Sequence, residues 1–322
     1  MSEAGTGASA SGRTAGELRF DGRVAIVTGA GNGLGRAHAL LLAARGAKVV
    51  VNDVGGPRDG SGRDATVAQA VVDEIGAAGG EAVANTTSVA SEGGGREIVA
   101  QALDTWGRLD IVVNNAGITG RGAFADTATW ERVLGTHLLG TVNVLRAAWP
   151  HFVAQDYGRV VNTASSSFLG TPGSGDYAAA KGGVIGLSRV LATDNRERDI
   201  RVNVLMPVAY TRMTAAVPDP VYAAWLERWF PPEKVAAFVA VLCHESVPCS
   251  GETFLAGGGR AARVLFETTR GHVEPEPTPE SFLAHFDAVM AGQEPATPTS
   301  GQGDLVRYAT LLGDPGPFAP RG

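Results

Sequence analysis

The sequence predicts an α/β fold: a doubly wound parallel sheet in one domain, with an irregular C-terminal extension. Three observations carry this. Short apolar runs recur along the chain, amphipathic helical patterns fill the gaps between them, and the composition changes near Ala261. Runs that are apolar throughout, rather than alternating, fit strands buried on both faces, the pattern of a parallel sheet covered by helices on each side. Right-handed crossovers then wind the chain both ways from the middle of the sheet.

Residues 1–18 are rich in Gly, Ser, Ala and Thr and have little to bury, so they are expected to form a flexible tail. The main domain is expected over 19–260. Its apolar runs are Arg23–Ala30, Lys48–Gly56, Leu109–Gly117, Gly158–Ser165 and Ile200–Pro207, and Ala37–Ala47 carries a helix pattern. Residues 261–322 hold 8 of the 17 prolines and 8 acidic against 4 basic residues. One helix is expected there, Thr278–Met290, with Thr278 as cap, Pro279 in the first turn, and Phe282, Phe286 and Met290 on one face. The rest of 261–322 reads as irregular, an interface element or a cover over the site.

Composition excludes several function classes. The net charge is −6 with no Lys/Arg run, which argues against nucleic acid or an anionic membrane as partner. No apolar run reaches the ~18 residues of a spanning helix. The first residues lack the features of a secretory signal, and "FAPRG" at the end carries no peroxisomal or lipid address. The two cysteines, Cys243 and Cys249, make no disulfide framework and fit a reduced cytoplasmic setting. Together with His244 they do not form a metal set, and no metal is expected.

After the first strand comes "TGAGNGLG", Thr28–Gly35. Gly29, Gly31, Gly33 and Gly35 let backbone approach a pyrophosphate, and Asn32 and Leu34 lead into a helix whose first N–H groups face it. A glycine cluster alone is a weak signal. Here it stands between a strand and a helix, with Asp53 at the end of the second strand, 24 residues after Gly29. A carboxylate there accepts hydrogen bonds from ribose hydroxyls and repels a 2′-phosphate, so NAD is expected over NADP. Arg58, just beyond, is the one nearby cation that could take such a phosphate.

Further on stands "TASSSFLGTPGSGDYAAAK", Thr163–Lys181. Three alanines between Tyr177 and Lys181 favour helix and place both side chains on one face. A Lys ammonium beside a phenol is expected to lower the phenol's pKa, so that the Tyr can exchange a proton with an alcohol or carbonyl. A Ser hydroxyl could hold the substrate oxygen. Trp225 and Trp229 lie one helical turn apart. Core packing is the simpler reading of this pair; an apolar roof over a greasy substrate, with Phe168 and Leu169, is the alternative.

The glycine turn, "NNAG" at Asn114–Gly117, and Tyr177 with Lys181 resemble the short-chain dehydrogenase/reductase family over about Asp21–Gly259. A narrower resemblance, in "VTGAGNGLGRAHAL", "VVVNDVGG", "HLLGTVNVLRAAWP", "LCHES" and the acidic extension, is to the (3R)-hydroxyacyl-CoA dehydrogenase domain of peroxisomal multifunctional enzyme type 2 and its free-standing bacterial relatives. This implies a Rossmann fold, a homodimer or homotetramer, and an NAD-dependent oxidoreductase acting on a secondary alcohol or ketone. The implied substrate is an apolar small molecule or acyl thioester, a 3-hydroxyacyl-CoA or hydroxysteroid-like compound. A 3-oxoacyl carrier-protein reductase is the alternative enzyme, against which Asp53 argues. A non-catalytic NAD-binding sensor would be expected to lose Tyr177 or Lys181.

By the resemblance, Asn115, Ala116 and Gly117 line the cofactor from its adenosine half toward the nicotinamide. Ser88 and Val89 flank the adenine, with Ser88 where the family often has Asp. Pro207 and Thr211 belong to the loop at the nicotinamide carboxamide. Pro207-Val208 replaces the family's usual Pro-Gly, so the backbone there is expected to run differently. The family's Ser usually precedes the Tyr by 13 residues, which here is Ala164. Counting from Arg159 in the strand instead selects Ser165, with Ser166 as the alternative and Ser167 as a cap. His137 stands where the family has an Asn that holds a proton-relaying water. It is either a relay in neutral form or a packed core histidine.

Overall fold

A computed structural model of the protein describes residues 16–120, 124–212, 214 and 219–314. Most of the tail expected over 1–18, and the last residues from 315, lie outside the described residues. The five predicted strands are present as β1 (Val24–Thr28), β2 (Lys48–Asn52), β4 (Ile111–Asn114), β5 (Tyr157–Thr163) and β6 (Asp199–Pro207). Three more were not read from the sequence: β3 (Glu81–Asn85), β7 (Thr253–Gly257) and β8 (Arg260–Val264). The sheet runs β3-β2-β1-β4-β5-β6-β7-β8, parallel except for the antiparallel pairing of β8 with β7. The eighth strand starts at the expected domain boundary, so the sheet continues a few residues past it.

All five residues of β1 are buried, and period-2 alternation sends them to opposite layers. Ala25 and Val27 pack in one cluster with Leu42 of α1 (Gly33–Ala44), Val71 and Ile75 of α2 (Ala65–Ala77) and Val235 and Val239 of α8 (Pro232–Cys243). Val24 and Ile26 join a second cluster with Ile98 of α3 (Glu92–Trp106) and Val144 and Phe152 of α5 (Gly140–Gln155). This is why the strand reads as an unbroken apolar run. The chain winds outward from β1 to β3, then returns to β4 on the other side of β1, and the two winding directions part between the C-terminal ends of β1 and β4. In open α/β sheets that crevice is where ligands bind.

The extension departs from expectation. The single helix expected over Thr278–Met290 is two short ones, α9 (Pro279–Ala284) and α10 (Phe286–Met290), broken at His285 (φ −111°, ψ 20°). Thr278 caps α9 as expected, within a reciprocal pair with Ser281. Neither helix buries a residue, and a short helix without a packed face gains little from tertiary contacts. Beyond them, α11 (Gly301–Leu312) forms where irregular chain was expected, capped by Ser300 and stopped by Gly313 in the left-handed conformation. Among the described residues no helix is long and apolar enough to cross a membrane.

One buried group makes the fold acid-sensitive. His38 of α1 is buried, neither ring nitrogen has a hydrogen-bond partner among the described residues, and burial lowers its pKa to about 3. An unfolded histidine takes up its proton near pH ~6.5. Below that pH the unfolded chain binds more protons, so stability falls as pH drops from about 6.5 toward 3. In His38→Leu this contribution should vanish. Denaturant midpoints measured at pH 7 and pH 5 should fall less in the variant; equal falls would show that His38 does not carry the effect.

Candidate active site

The site forms where β1 and β4 end. The Thr28 hydroxyl accepts hydrogen bonds from the backbone N–H groups of Asn115 and Ala116, each at 3.0 Å. In return the Asn115 side-chain amide donates to the Thr28 and Gly29 carbonyls at 3.0 and 3.1 Å. The glycine turn is thus pinned to "NNAG". A Cβ on Gly35 would overlap the Gly29 carbonyl, and Gly33 adopts φ +53°, which a side chain would strain. The helix expected from Ala37 therefore starts earlier, directly from the turn, at Gly33. Asn32 occupies its N-cap without a side-chain cap, and no acidic residue stands in the first turn. The first N–H groups of α1 keep their donors for an anion.

Asp53 lies at the rim of this turn. Its two carboxylate oxygens accept from the backbone N–H groups of Gly31 (2.8 Å) and Gly55 (2.7 Å). A carboxylate has further lone pairs for ribose hydroxyls. Leu34 packs on the core beneath the turn. The Thr211 methyl lies beside Gly33, 3.3 Å from where a Cβ would stand. On the other flank, the Val89 carbonyl accepts from the Asn143 side chain at 2.9 Å, and Ser88 Oγ accepts from Ala90 N at 3.3 Å. Pro207 ends β6, and Val208 continues its pairing by donating to the Ala256 carbonyl at 2.8 Å. The loop thus starts from extended backbone. The uncapped helix end, the glycine turn with no room for side chains and the carboxylate beside it fit a dinucleotide.

Tyr177 and Lys181 lie on α6 (Gly175–Asp194), one turn apart as expected. The Lys181 ammonium is buried, donates to the Thr163 carbonyl and lies 5.6 Å from the centre of the Tyr177 ring. Ser165 hydrogen-bonds Tyr177 and also accepts from Ser167 N at 3.2 Å, capping a short 3₁₀ turn, Ser166–Leu169. Ser166 is exposed. Ser165 is therefore the serine of the three that the fold brings to the phenol.

The expected depression of the Tyr177 pKa is not what the geometry gives. Burial pushes the phenol up, with the Ser165 hydrogen bond opposing, while burial lowers Lys181 to about 7. A lysine near its pKa at neutral pH is charged only part of the time, so it cannot impose a full positive charge on its neighbour.

His137 sits in a π-helical turn, Gly135–Leu139, inserted between α4 (Thr127–Leu134) and α5. Such turns are frequent at functional sites. The ring is buried edge-to-face against Tyr177, with centroids 5.0 Å apart, and presses on Gly117. Nε2 lies 2.8 Å from the Ile118 carbonyl and 3.1 Å from its N–H, while Nδ1 has no partner among the described residues. Burial and the Lys181 charge lower its pKa to about 3, so the ring is neutral at physiological pH.

Several contributors were not singled out from sequence. Thr28 and Asn143 hold the two flanks, and a Thr at the end of an apolar run, just before the first Gly, is a readable signal for the former. Arg58 is engaged elsewhere than expected. Its guanidinium donates to the Arg212 carbonyl at 2.6 Å, and its own carbonyl accepts from Thr119 N at 2.8 Å. The insertion after β2 is thereby tied to the loops after β4 and β6. Trp225 and Trp229 on α7 (Pro220–Trp229) are each 46% exposed, against the core packing favoured from sequence. Phe266 of the extension meets Phe168, centroids 5.9 Å apart, behind the Ser165 loop.

Fold and site together define an oxidoreductase of the nicotinamide-dinucleotide class. The profile of the short chain dehydrogenase family matches residues 23–220. The chain is 45% identical over 268 residues to Rv0148, a short-chain type dehydrogenase/reductase of Mycobacterium tuberculosis, covering 82% of this chain and 92% of that protein. It is 42% identical to mouse peroxisomal multifunctional enzyme type 2 over 90% of this chain but only 40% of that protein. Among solved structures, 7α-hydroxysteroid dehydrogenase complexed with NADH and 7-oxo glycochenodeoxycholic acid superposes with a TM-score of 0.67 at 29% identity, covering 75% of this chain and 95% of that one. This chain belongs to the short-chain dehydrogenase family.

The serine assignment is directly testable. Ser165→Ala should lower turnover by about 10²–10³, the typical cost of losing one donor at a reacting oxygen, while Ser166→Ala should stay near the parent. Steady-state kinetics on both variants would reverse the assignment if the losses are exchanged.

Proposed function

We propose that the protein is an NAD-dependent dehydrogenase interconverting a secondary alcohol and a ketone, with Tyr177 as acid/base. The observation that carries this is the convergence of Ser165, Tyr177 and Lys181 beside a glycine turn bordered by Asp53. Nicotinamide, when bound, supplies the hydride acceptor or donor. Ser165 holds the substrate oxygen, and Tyr177 takes its proton in the oxidation direction or returns one in reduction. Lys181 and the neutral His137 flank the phenol, with Lys181 tuning its proton affinity and the unpartnered Nδ1 of His137 available to a relaying water. Asp53 selects against a 2′-phosphate, and one N–H of Arg58 is taken by the Arg212 carbonyl.

The substrate class is a 3-hydroxyacyl thioester or a hydroxysteroid-like molecule. Two observations support an apolar substrate: the half-exposed aromatic group Tyr222, Trp225 and Trp229, and the names of the relatives above. The extension acts as a cover fastened beside the site, since Phe266 packs on Phe168 and Arg189 donates to the Pro298 carbonyl at 2.9 Å. The working form is a homodimer or homotetramer in the cytoplasm.

Following reduced cofactor with a panel of 3-hydroxyacyl-CoA and hydroxysteroid substrates tests the reading. kcat/KM should favour NAD over NADP at least about tenfold, equivalent to ~1.4 kcal/mol, and Asp53→Ala should erode that preference. Tyr177→Phe should cost about 10²–10⁴ in turnover while still binding cofactor. A preference for NADP would remove the cofactor assignment. Tight cofactor binding with no turnover on any substrate would point to a sensor.

A further inference from the structure

The segment Gly271–His285 of the extension, "GHVEPEPTPESFLAH", carries two histidines and a glutamate that the fold brings together. A ligand-capable atom from each of His272, Glu274 and His285 lies within 4.8 Å of the others. The two imidazoles stack, centroids 4.2 Å apart and planes 10° apart. His272 Nε2 and Glu274 Oε2 are 3.5 Å apart, at ion-pair distance; both are shut off from solvent, and neither has a hydrogen-bond partner among the described residues. A buried nitrogen and oxygen facing each other without a hydrogen bond call for a third partner.

We propose that His272, Glu274 and His285 bind one divalent transition-metal ion, zinc by their ligand chemistry, which staples the start of this segment to α9. Neutral imidazole and carboxylate are zinc's ligands, whereas magnesium and calcium take oxygen. Bonds of ~2.0–2.2 Å in tetrahedral geometry put ligand atoms about 3.3–3.6 Å apart, and the His272–Glu274 separation already lies in that range. His285 is exposed, and its ring must turn out of the stack with His272 to aim its lone pair at the same ion. Its Nδ1 lies 2.9 Å from the Ser281 carbonyl; donating there leaves Nε2 with its lone pair free. That is the outer-shell bond that usually fixes the tautomer of a metal-binding histidine. The backbone carbonyl of Ser281 thus orients one of the three ligands. A staple suits this place, because neither α9 nor α10 has a buried residue to hold it. Three protein ligands leave a further position for water.

The test uses the tag-free full chain, stripped with a chelator and titrated with zinc against a chromophoric competitor. One equivalent should bind, and zinc should raise the thermal midpoint. His272→Ala and His285→Ala should each abolish the competition. His151→Ala, on α5, should bind like the parent. His285 is exposed, so its variant is expected to fold and serves if His272→Ala does not. Failure of the parent chain to bind one equivalent, or unchanged binding in His285→Ala, would overturn the site and leave His272–Glu274 as an ion pair.

Discussion

The mutual clamp between Thr28 and Asn115 is the contact on which the rest of the site depends. Four hydrogen bonds tie the end of β1 to the residues after β4 across the point where the winding reverses. Each is worth only ~0.5–1.5 kcal/mol net, but losing a partner leaves buried groups unpaired, which costs more. The clamp fixes the glycine turn, and with it the start of α1 and the direction of its free N–H groups. A second buried chain sets the other half. Asn114 donates to Asn162 at 2.9 Å, and Asn162 donates to Ser188 of α6, also at 2.9 Å. Lys181 adds its bond to Thr163. The helix bearing Tyr177 is therefore locked to the same strand ends that carry the turn.

This rigidity sets up an electrostatic tension. The Tyr177 phenol sits where burial resists its anion, and the lysine beside it sits where burial resists its cation. Burial thus works against the charged form of each, and Lys181, at about 7, is charged only part of the time at neutral pH. Ser165 is the group whose hydrogen bond lowers the Tyr177 pKa against that trend. The neutral ring of His137 fills the remaining face without adding a competing charge. Such opposed perturbations are the pattern expected where protons move.

The strands buried on both faces were legible as unbroken apolar runs. The edge strand β3 was not: "EAVAN" mixes small and polar residues, and only Asn85 is fully buried. β7 and β8 were hidden by the glycines between them. Ser165 could be chosen from the strand count because register in a parallel sheet is rigid, whereas the loop to Tyr177 is free to shorten. The tryptophans were misread because one-turn spacing says which residues share a face, not what covers it. The π-turn at His137 has no sequence signature, since the surrounding helix pattern continues through it. The break at His285 was likewise silent, because it reflects missing tertiary contact rather than a breaker residue.

The replacement of Gly by Val after Pro207 shows how such departures are absorbed. Val208 needs no left-handed conformation, because it stays in the ladder with β7. Room comes instead from the other strand: a Cβ on Gly257 would overlap the Val208 carbonyl, and one on Gly258 would reach the Phe230 ring. Phe230 in turn accepts from Tyr210 N at 2.7 Å through its carbonyl, and its ring packs at a tilt against Trp225, centroids 4.8 Å apart. Gly257 thus supplies the space beside Val208, and Gly258 takes up the left-handed conformation at φ +60°. Through Phe230 the backbone at Tyr210 and the exposed Trp225 meet in one packed corner, so a change in either is constrained by the other.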